Sequence, residues 1–427
     1  MIDRRHFLRG LGALGVLPIT GIPDIAAAAE TQSPQARVSP DDPNFWSSLR
    51  QQFLIPPDEA YFNAGTLGAC PKPVMDAVAA TMNDVEKTIA QYDYKPEHPE
   101  YIAGYRPQPE LRRKAGELMN AKGEETALVQ NATMAYNFIV HGLELKAGDE
   151  ALITDQEHVG AQGPWDLRAK RHGVVVKQIK LPIPTPDPES VVKSFAAAIT
   201  PKTKVIAVPH ITSRYGIVLP VKELCALARE RGIFSLVDGA QAIGQLRVDV
   251  KAIGCDAYAT SPHKWLLSPP GTGLLYLRAE KDQEIWTTLA SREWNNHTPA
   301  DGIFRLMQFG TLNLAIFRGL DAAIDFYQGI GPERVEKRIM GMADQLRAGL
   351  QKIKGAKIYS PVHPAMKCAM VTYGLDGKTG TEVMDQLWEK KKIRVRAQGS
   401  DAVRQSVHIY NSPGEIEATL EMLKTLA

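Results

Sequence analysis

The chain has few cysteines, no excess of either charge and no apolar run of membrane-spanning length, and each shortage closes off a class of function. Its four cysteines, Cys70, Cys225, Cys255 and Cys368, are scattered through 427 residues and form no CxxC pair. Neither a zinc site nor a thioredoxin-like motif is encoded, and the four read as buried free thiols. Lys and Arg total 50 against 48 Asp and Glu, a formal net charge of +2. With no basic field to attract phosphate backbones or anionic lipid, nucleic acid and membrane surfaces are not expected partners. The longest apolar stretch, near the N-terminus, is too short to span a bilayer comfortably, so no stable membrane insertion is expected. No repeat period or heptad run occurs. What is left is an ordinary globular composition, 44% hydrophobic and 23% charged, in a chain long enough for one large domain with a smaller one appended.

The N-terminus reads as an address rather than as fold. Arg4 and Arg5 are followed by Phe7, Leu8 and Arg9, then by a Gly/Ala/Leu run over residues 10–21 and small residues at 26–29. This is the order of a secretory signal, and the RRHFLR string resembles the twin-arginine export signal. That route carries proteins already folded, which suits a protein that acquires a cofactor in the cytoplasm. Residues 1–29 are therefore expected to be a signal recognised by the twin-arginine export machinery, residues 30–42 a Ser/Pro/Gln/Asp linker, and the mature protein periplasmic.

Folded sequence is expected from residue 43. Residues 61–78, YFNAGTLGACPKPVMDAV, join a short strand to a Gly-rich loop and a helix whose start is marked by Pro71 and Pro73. Residues 93–101 form a polar and aromatic loop that could reach over a site. Apolar runs TALVQ, EALIT, GVVVKQI, KVIAV, IFSLVD and GLLYL then alternate with helical stretches. Such alternation predicts an α/β fold with a mostly parallel sheet covered by helices on both faces. After residue 312 long amphipathic stretches, strand-like pieces near Met370 and Ile393 and a last helix predict a smaller C-terminal α+β domain. The expected division is 43–312, including the N-terminal segment, and 313–427.

In open parallel sheets ligands sit beyond the carboxyl ends of the strands. The residues just past the runs are polar and chemically versatile: Asn131, Ala132 and Thr133; Glu157 and His158; His210, Thr212 and Ser213; Asp238 and Gln241; Ser261, His263 and Lys264. Lys264 lies in SPHKWLLSPPGTG, flanked by Trp265 and Leu266, where desolvation lowers an amine's pKa and suits it to imine formation with an aldehyde. On its own it reads equally as a snorkelling lysine beside a tight turn. Asp238, closing IFSLVD, is a partly buried carboxylate in need of a cation, unless it is only a helix cap. A pyridoxal phosphate site needs a Lys for the aldehyde, an acid to keep the ring nitrogen protonated, donors for the phosphate and a flat group over the ring. Candidates for each are present.

On the pairing of DGAQAIG, residues 238–244, with SPHKW, residues 261–265, the chain resembles fold-type I pyridoxal phosphate enzymes of the class V aminotransferase family. The resemblance covers nearly all of the expected mature chain, with NATMAYN and GTLN as weaker supports. It implies that Lys264 binds the cofactor covalently, Asp238 pairs with the ring nitrogen and Gln241 contacts the phenolic oxygen, with Ser213 near that oxygen. His158 matches the side chain that stacks on the ring. The phosphate is implied at the helix beginning near Ala132 and Thr133, with Ser261 and His263 as side-chain donors. Thr311, in GTLN, matches a Thr that reaches the neighbouring subunit's phosphate, which implies a homodimer with shared active sites. Arg404 matches the Arg that grips a substrate carboxylate, so the implied substrate is an amino acid, with Arg394 and Arg396 as competitors for that role. Asn63 and Thr66 lie where relatives line the pocket.

One departure separates subfamilies. Cysteine desulfurases carry a nucleophilic Cys shortly before the carboxylate-binding Arg, and here that interval reads RVRAQGSDAVR. With the FNAGTLGACP opening, this favours the isopenicillin N epimerase-like branch. The expected function is therefore an aminotransferase or epimerase in which Lys264 removes the α-proton; epimerisation needs a donor on the opposite face, for which His158 is the candidate. The alternatives are a carbon–sulfur lyase and a non-catalytic binding protein of the same fold. No metal site is expected.

Overall fold

Seven of the chain's strands lie side by side in one sheet, and the reason is legible in their side chains. The computed structural model describes residues 44–91 and 108–427; the stretches expected to be an export signal and a linker, and the 93–101 stretch expected to be a loop, lie outside the described residues. After a two-residue strand β1 (Ala60–Tyr61) come β2 (Thr126–Val129), β3 (Glu150–Thr154), β4 (Val175–Ile179), β5 (Thr203–Pro209), β6 (Phe234–Asp238), β7 (Ala257–Thr260) and β8 (Gly273–Leu277). They form a sheet in the order β2-β8-β7-β6-β5-β3-β4. Neighbours from β7 to β4 run parallel, and β8 is antiparallel to both β7 and β2. Strands β2, β3, β6, β7 and β8 are buried along their whole length, as strands covered by helices on both faces must be. Edge strand β4 is partly or fully exposed at every position.

A second, antiparallel sheet is built by β9 (Ala356–Ile358), β10 (Met370–Leu375), β12 (Arg396–Gln398) and β13 (Ala402–Ser406), in the order β12-β13-β10-β9. Strand β11 (Ile393–Arg394) stands apart from it and pairs in parallel with β1. Residues 60–63, grouped by the sequence with the large domain, thus hydrogen-bond to the C-terminal part of the chain. Asn63 continues the contact as a bridge to Ser406. The helices Leu314–Ile330, Pro332–Leu350, Gly380–Lys391 and Pro413–Leu426 accompany the second sheet. Thr379 and Ser412 each close a capping box with the Glu three residues on, which fixes where two of these helices begin. Residues from Trp46 to Ala427 belong to one compact unit.

The loop between β1 and the helix Lys72–Lys87 ties the N-terminal segment to the Lys264 turn. The Gly68 amide donates to the carbonyl of His263 at 2.9 Å, and a Cβ on Gly68 would lie 2.0 Å from the Lys264 carbonyl oxygen. Backbone faces backbone there, so no side chain can swing away. Gly68→Ala is expected to cost about 1–3 kcal/mol or more, read as a lowered Tm, and to weaken cofactor retention because the displaced backbone carries Lys264.

Candidate active site

Strands β2, β3, β5, β6 and β7 all run the same way, so their carboxyl ends share one edge of the sheet. A cavity of about 600 Å³ opens along that edge. Lys264, Asp238, Gln241, His158, Ser213, Ala132, Thr133, Ser261, His263, Thr66 and Arg404 all line it. Asn63 reaches the same place through Arg404, whose Nη2 donates to Asn63 Oδ1 at 3.2 Å. Thr311 is exposed and not among the lining residues; its neighbour but one, Asn313, caps the helix Leu314–Ile330.

Lys264 follows β7 on a turn whose amide donates to the Ser261 carbonyl. Burial lowers its amine to about 8, against the opposing pull of Asp238 and with smaller help from Arg404 and Arg396. At pH 7 a useful fraction is therefore the neutral nucleophile. The turn is held from behind. Trp265 is buried, its Nε1 donates to Gln241 Oε1 at 2.7 Å, and its ring stacks on His408 at 5.5 Å. His408 Nε2 in turn meets the Trp265 carbonyl at 3.0 Å.

Asp238 ends β6, with 8% of its surface exposed. Burial raises its pKa, partly countered by the Ala240 amide at 2.9 Å and by the charges of Lys264 and His158. Such a carboxylate gains from a cation placed against it. Behind it, His210 Nδ1 and the Tyr258 hydroxyl are 2.9 Å apart, and the His210 amide donates to the Asp238 carbonyl.

Beyond β2 the helix Ala132–Gly142 begins at the cavity. Asn131 Oδ1 caps the Met134 amide, and Ser261 Oγ accepts from the Ala132 amide at 2.9 Å. The Thr133 amide and hydroxyl have no partner among the described residues, which leaves an anion-binding helix terminus open to the cavity. Ser261, expected as a direct phosphate donor, is thus also tied to this terminus. His158, at the start of the helix Val159–His172, accepts from the Gly160 amide at Nδ1, 3.1 Å away. Its neutral ring consequently carries the proton on Nε2, and burial followed by Lys264 lowers its pKa. Burial also lowers that of His263.

The C-terminal sheet supplies the remaining wall. Arg404 is 2% exposed. Its Nη1 donates to the Ser213 carbonyl at 2.6 Å and its Nη2 to Thr66 Oγ1 at 2.9 Å. Burial first, and then Arg396, lower it to about 10. Of its two competitors, Arg396 lines the cavity and donates to the same Thr66 hydroxyl at 2.7 Å, whereas Arg394 lies over the Trp388 ring at 4.2 Å.

Several lining residues carried no assignment from the sequence. Tyr136 is three residues past Thr133, on the same face of its helix, and accepts from Trp165 Nε1 at 3.2 Å. Glu157 is pushed up to about 8 by burial; its Oε1 accepts from the Thr154 hydroxyl and amide, and its Oε2 has no partner among the described residues. Arg214 and Gln398 also line the cavity. No Cys does. Cys225, Cys255 and Cys368 are buried free thiols as expected, and Cys70 is half-exposed.

The donor set fits pyridoxal phosphate. An open helix terminus faces the same cavity as a buried carboxylate lacking a cation and an amine with a depressed pKa. Comparison with known proteins agrees. The aminotransferase class-V family matches residues 61–425. An isopenicillin N epimerase from Amycolatopsis lactamdurans is 32% identical over 408 residues, 90% of this chain and 98% of that one. A probable cysteine desulfurase from Methanothermobacter thermautotrophicus is 29% identical over 402 residues, 89% and 97% of the two chains. Among solved structures, the cystine C–S lyase C-DES, as a variant with glycine covalently linked to its PLP cofactor, superimposes with a TM-score of 0.76 at 25% identity, covering 88% of this chain and 98% of that one. A cofactor-shaped donor set at the carboxyl ends of a mostly parallel sheet and a family match over most of the chain lead to one conclusion: this protein belongs to the class V aminotransferase family of pyridoxal-phosphate-dependent, fold-type I enzymes.

Proposed function

We propose that the protein acts at the α-carbon of an amino acid, as an epimerase or aminotransferase without cysteine-based sulfur chemistry. The observation that carries this reading is Arg404, a buried guanidinium held by Asn63, Thr66 and the Ser213 carbonyl in the cavity that also holds Lys264. A buried, oriented guanidinium is suited to a carboxylate, and an amine-bearing carbon beside it would come within reach of the cofactor. When bound, pyridoxal phosphate withdraws electrons from the α-carbon. In this reading Lys264 takes and returns the α-proton, and Asp238 keeps the ring nitrogen protonated. Thr133, Ser261 and His263 hold the phosphate, and Gln241 and Ser213 lie toward the phenolic oxygen. His158 covers the face opposite Lys264, where its Nε2–H is the candidate donor for epimerisation.

The cavity lining supports the exclusion of persulfide chemistry, since no thiol lines it. A carbon–sulfur lyase remains the second reading, favoured by the likeness to the cystine C–S lyase C-DES. The two separate on incubation with amino acids in deuterated water. Solvent deuterium at an intact α-carbon of inverted configuration, or conversion of the amino acid to its 2-oxo acid with the amino group passed to the cofactor, supports the proposal. Release of sulfide, thiol or pyruvate from a sulfur amino acid supports the lyase. A homodimer in which Thr311 reaches the partner's phosphate site, and export by the twin-arginine route to the periplasm, are proposed on resemblance alone.

The Lys264 amine sets a pH dependence for loading. Its pKa of about 8 lies below that of an ordinary lysine because burial disfavours the charged form. Below pH 8 the neutral, nucleophilic fraction changes by about tenfold per pH unit. The rate at which cofactor-free protein captures pyridoxal phosphate should rise about tenfold from pH 6 to 7 and level off above pH 8. A rise continuing undiminished to pH 10 would mean an ordinary, solvated lysine.

A further inference from the structure

We propose that the substrate carries a second negatively charged group on its side chain, received by Arg214 and Arg396 at the wall of the cavity. This rests on the reading of Arg404 as the receptor of the α-carboxylate. Three guanidinium groups, Arg214, Arg396 and Arg404, line one cavity, and a single carboxylate needs only one of them.

Their arrangement is costly unless an anion uses it. Arg396 and Arg404 are directly opposite each other in the β12–β13 register, a placement in which like charges destabilise a sheet. Neither forms an ion pair with a carboxylate among the described residues. Arg396 donates to the Thr66 hydroxyl, and Arg404 to that hydroxyl, the Asn63 side-chain oxygen and the Ser213 carbonyl. Every one of these acceptors is neutral, so both charges stay uncompensated within the described residues. The Arg214 guanidinium lies over the Tyr215 ring at 5.0 Å, and a Cβ at Gly399 would come 2.6 Å from its Nη2. Gly399 belongs to the turn that joins β12 to β13, so Arg214 is brought against the hairpin that carries the other two. Asp401 belongs to the same turn, yet its Oδ2 accepts from the Tyr359 hydroxyl at 2.6 Å and it forms no ion pair with Arg214 among the described residues.

The acids that do line the cavity do not balance this wall. Asp238 is assigned to the ring nitrogen, Glu157 is held up near 8 by burial, and Asp155 accepts from the Leu181 amide on the β3 side. The cofactor's phosphate is accounted for at Thr133, Ser261 and His263. One α-carboxylate then leaves two guanidinium groups over, and the chemistry that fits them is an amino acid with an acidic side chain.

The test compares near-isosteric pairs on the holoenzyme: glutamate with glutamine and aspartate with asparagine, each as both enantiomers. The acidic member should show a kcat/KM for α-hydrogen exchange at least about tenfold above its neutral partner, the scale of one charged hydrogen bond. Arg214→Gln should lower that preference by about 10- to 100-fold, mainly through KM, and Arg214→Lys should restore part of it. Glutarate, which cannot react, should compete with substrate, and more weakly as salt rises. Equal kcat/KM within each pair, or a preference unmoved by Arg214→Gln, overturns this inference and leaves the amino-acid reading standing. Absence of exchange with every amino acid overturns the amino-acid reading itself.

Discussion

Lys264→Ala removes the covalent bond to the cofactor: the variant should purify without the visible absorbance of the loaded enzyme, and borohydride should no longer fix pyridoxal phosphate to the chain. Activity should fall by at least about 10³-fold, since the same amine is the group placed to move the α-proton. The fold should survive. Lys264 is a buried amine whose charge is disfavoured by its surroundings, so its removal relieves a cost, and the surrounding turn is held by Trp265, Gln241 and His408 rather than by the lysine side chain. A Tm near the parent's with the chromophore gone separates loss of chemistry from loss of structure. A variant that keeps the same covalent chromophore would move the cofactor to another lysine.

Asp238→Asn should split stability from function. The folded-state pKa of Asp238 is raised by burial, so between its unfolded and folded values the folded chain binds more protons than the unfolded one. Stability therefore falls as pH rises through that window, and at neutral pH the ionised carboxylate is a burden on the cofactor-free protein. Asparagine keeps an oxygen for the Ala240 amide and sheds the charge. Cofactor-free Asp238→Asn should be at least as thermostable as the parent at pH 7, with the difference vanishing in acid. The loaded variant should lose about 10²- to 10³-fold in α-hydrogen exchange, the scale seen when one preorganised electrostatic partner is removed. Equal activity would detach Asp238 from the ring nitrogen.

The central sheet was readable because its strands are buried on both faces, so VIAV or LLYL stands out as an unbroken apolar run. The loops that follow were readable because polar residues recur at the same end of every strand. The C-terminal wall was harder. Strands β11 and β12 are two and three residues long, too short for any periodicity, and the bond from Arg396 to Thr66 spans 330 positions. Resemblance singled out Arg404 over Arg394 and Arg396; the fold puts Arg404 and Arg396 side by side in the cavity wall and Arg394 over a tryptophan, a grouping no local pattern showed. Arg214 gave no signal, because its significance depends on the turn at Gly399 folding against it. Glu157 was visible only as the neighbour of His158; its unpartnered oxygen is a property of the packed helix and strand around it.

In the proposed reaction Lys264 and Arg404 act on one molecule, and proton NMR of the loaded enzyme with a panel of amino acids in deuterated water measures that most directly. Loss of the α-proton signal in the parent, abolished in Lys264→Ala and greatly slowed in Arg404→Gln through a raised KM, is the predicted result. An α-proton that persists in every amino acid, in an enzyme whose absorbance shows the cofactor covalently in place, would contradict it.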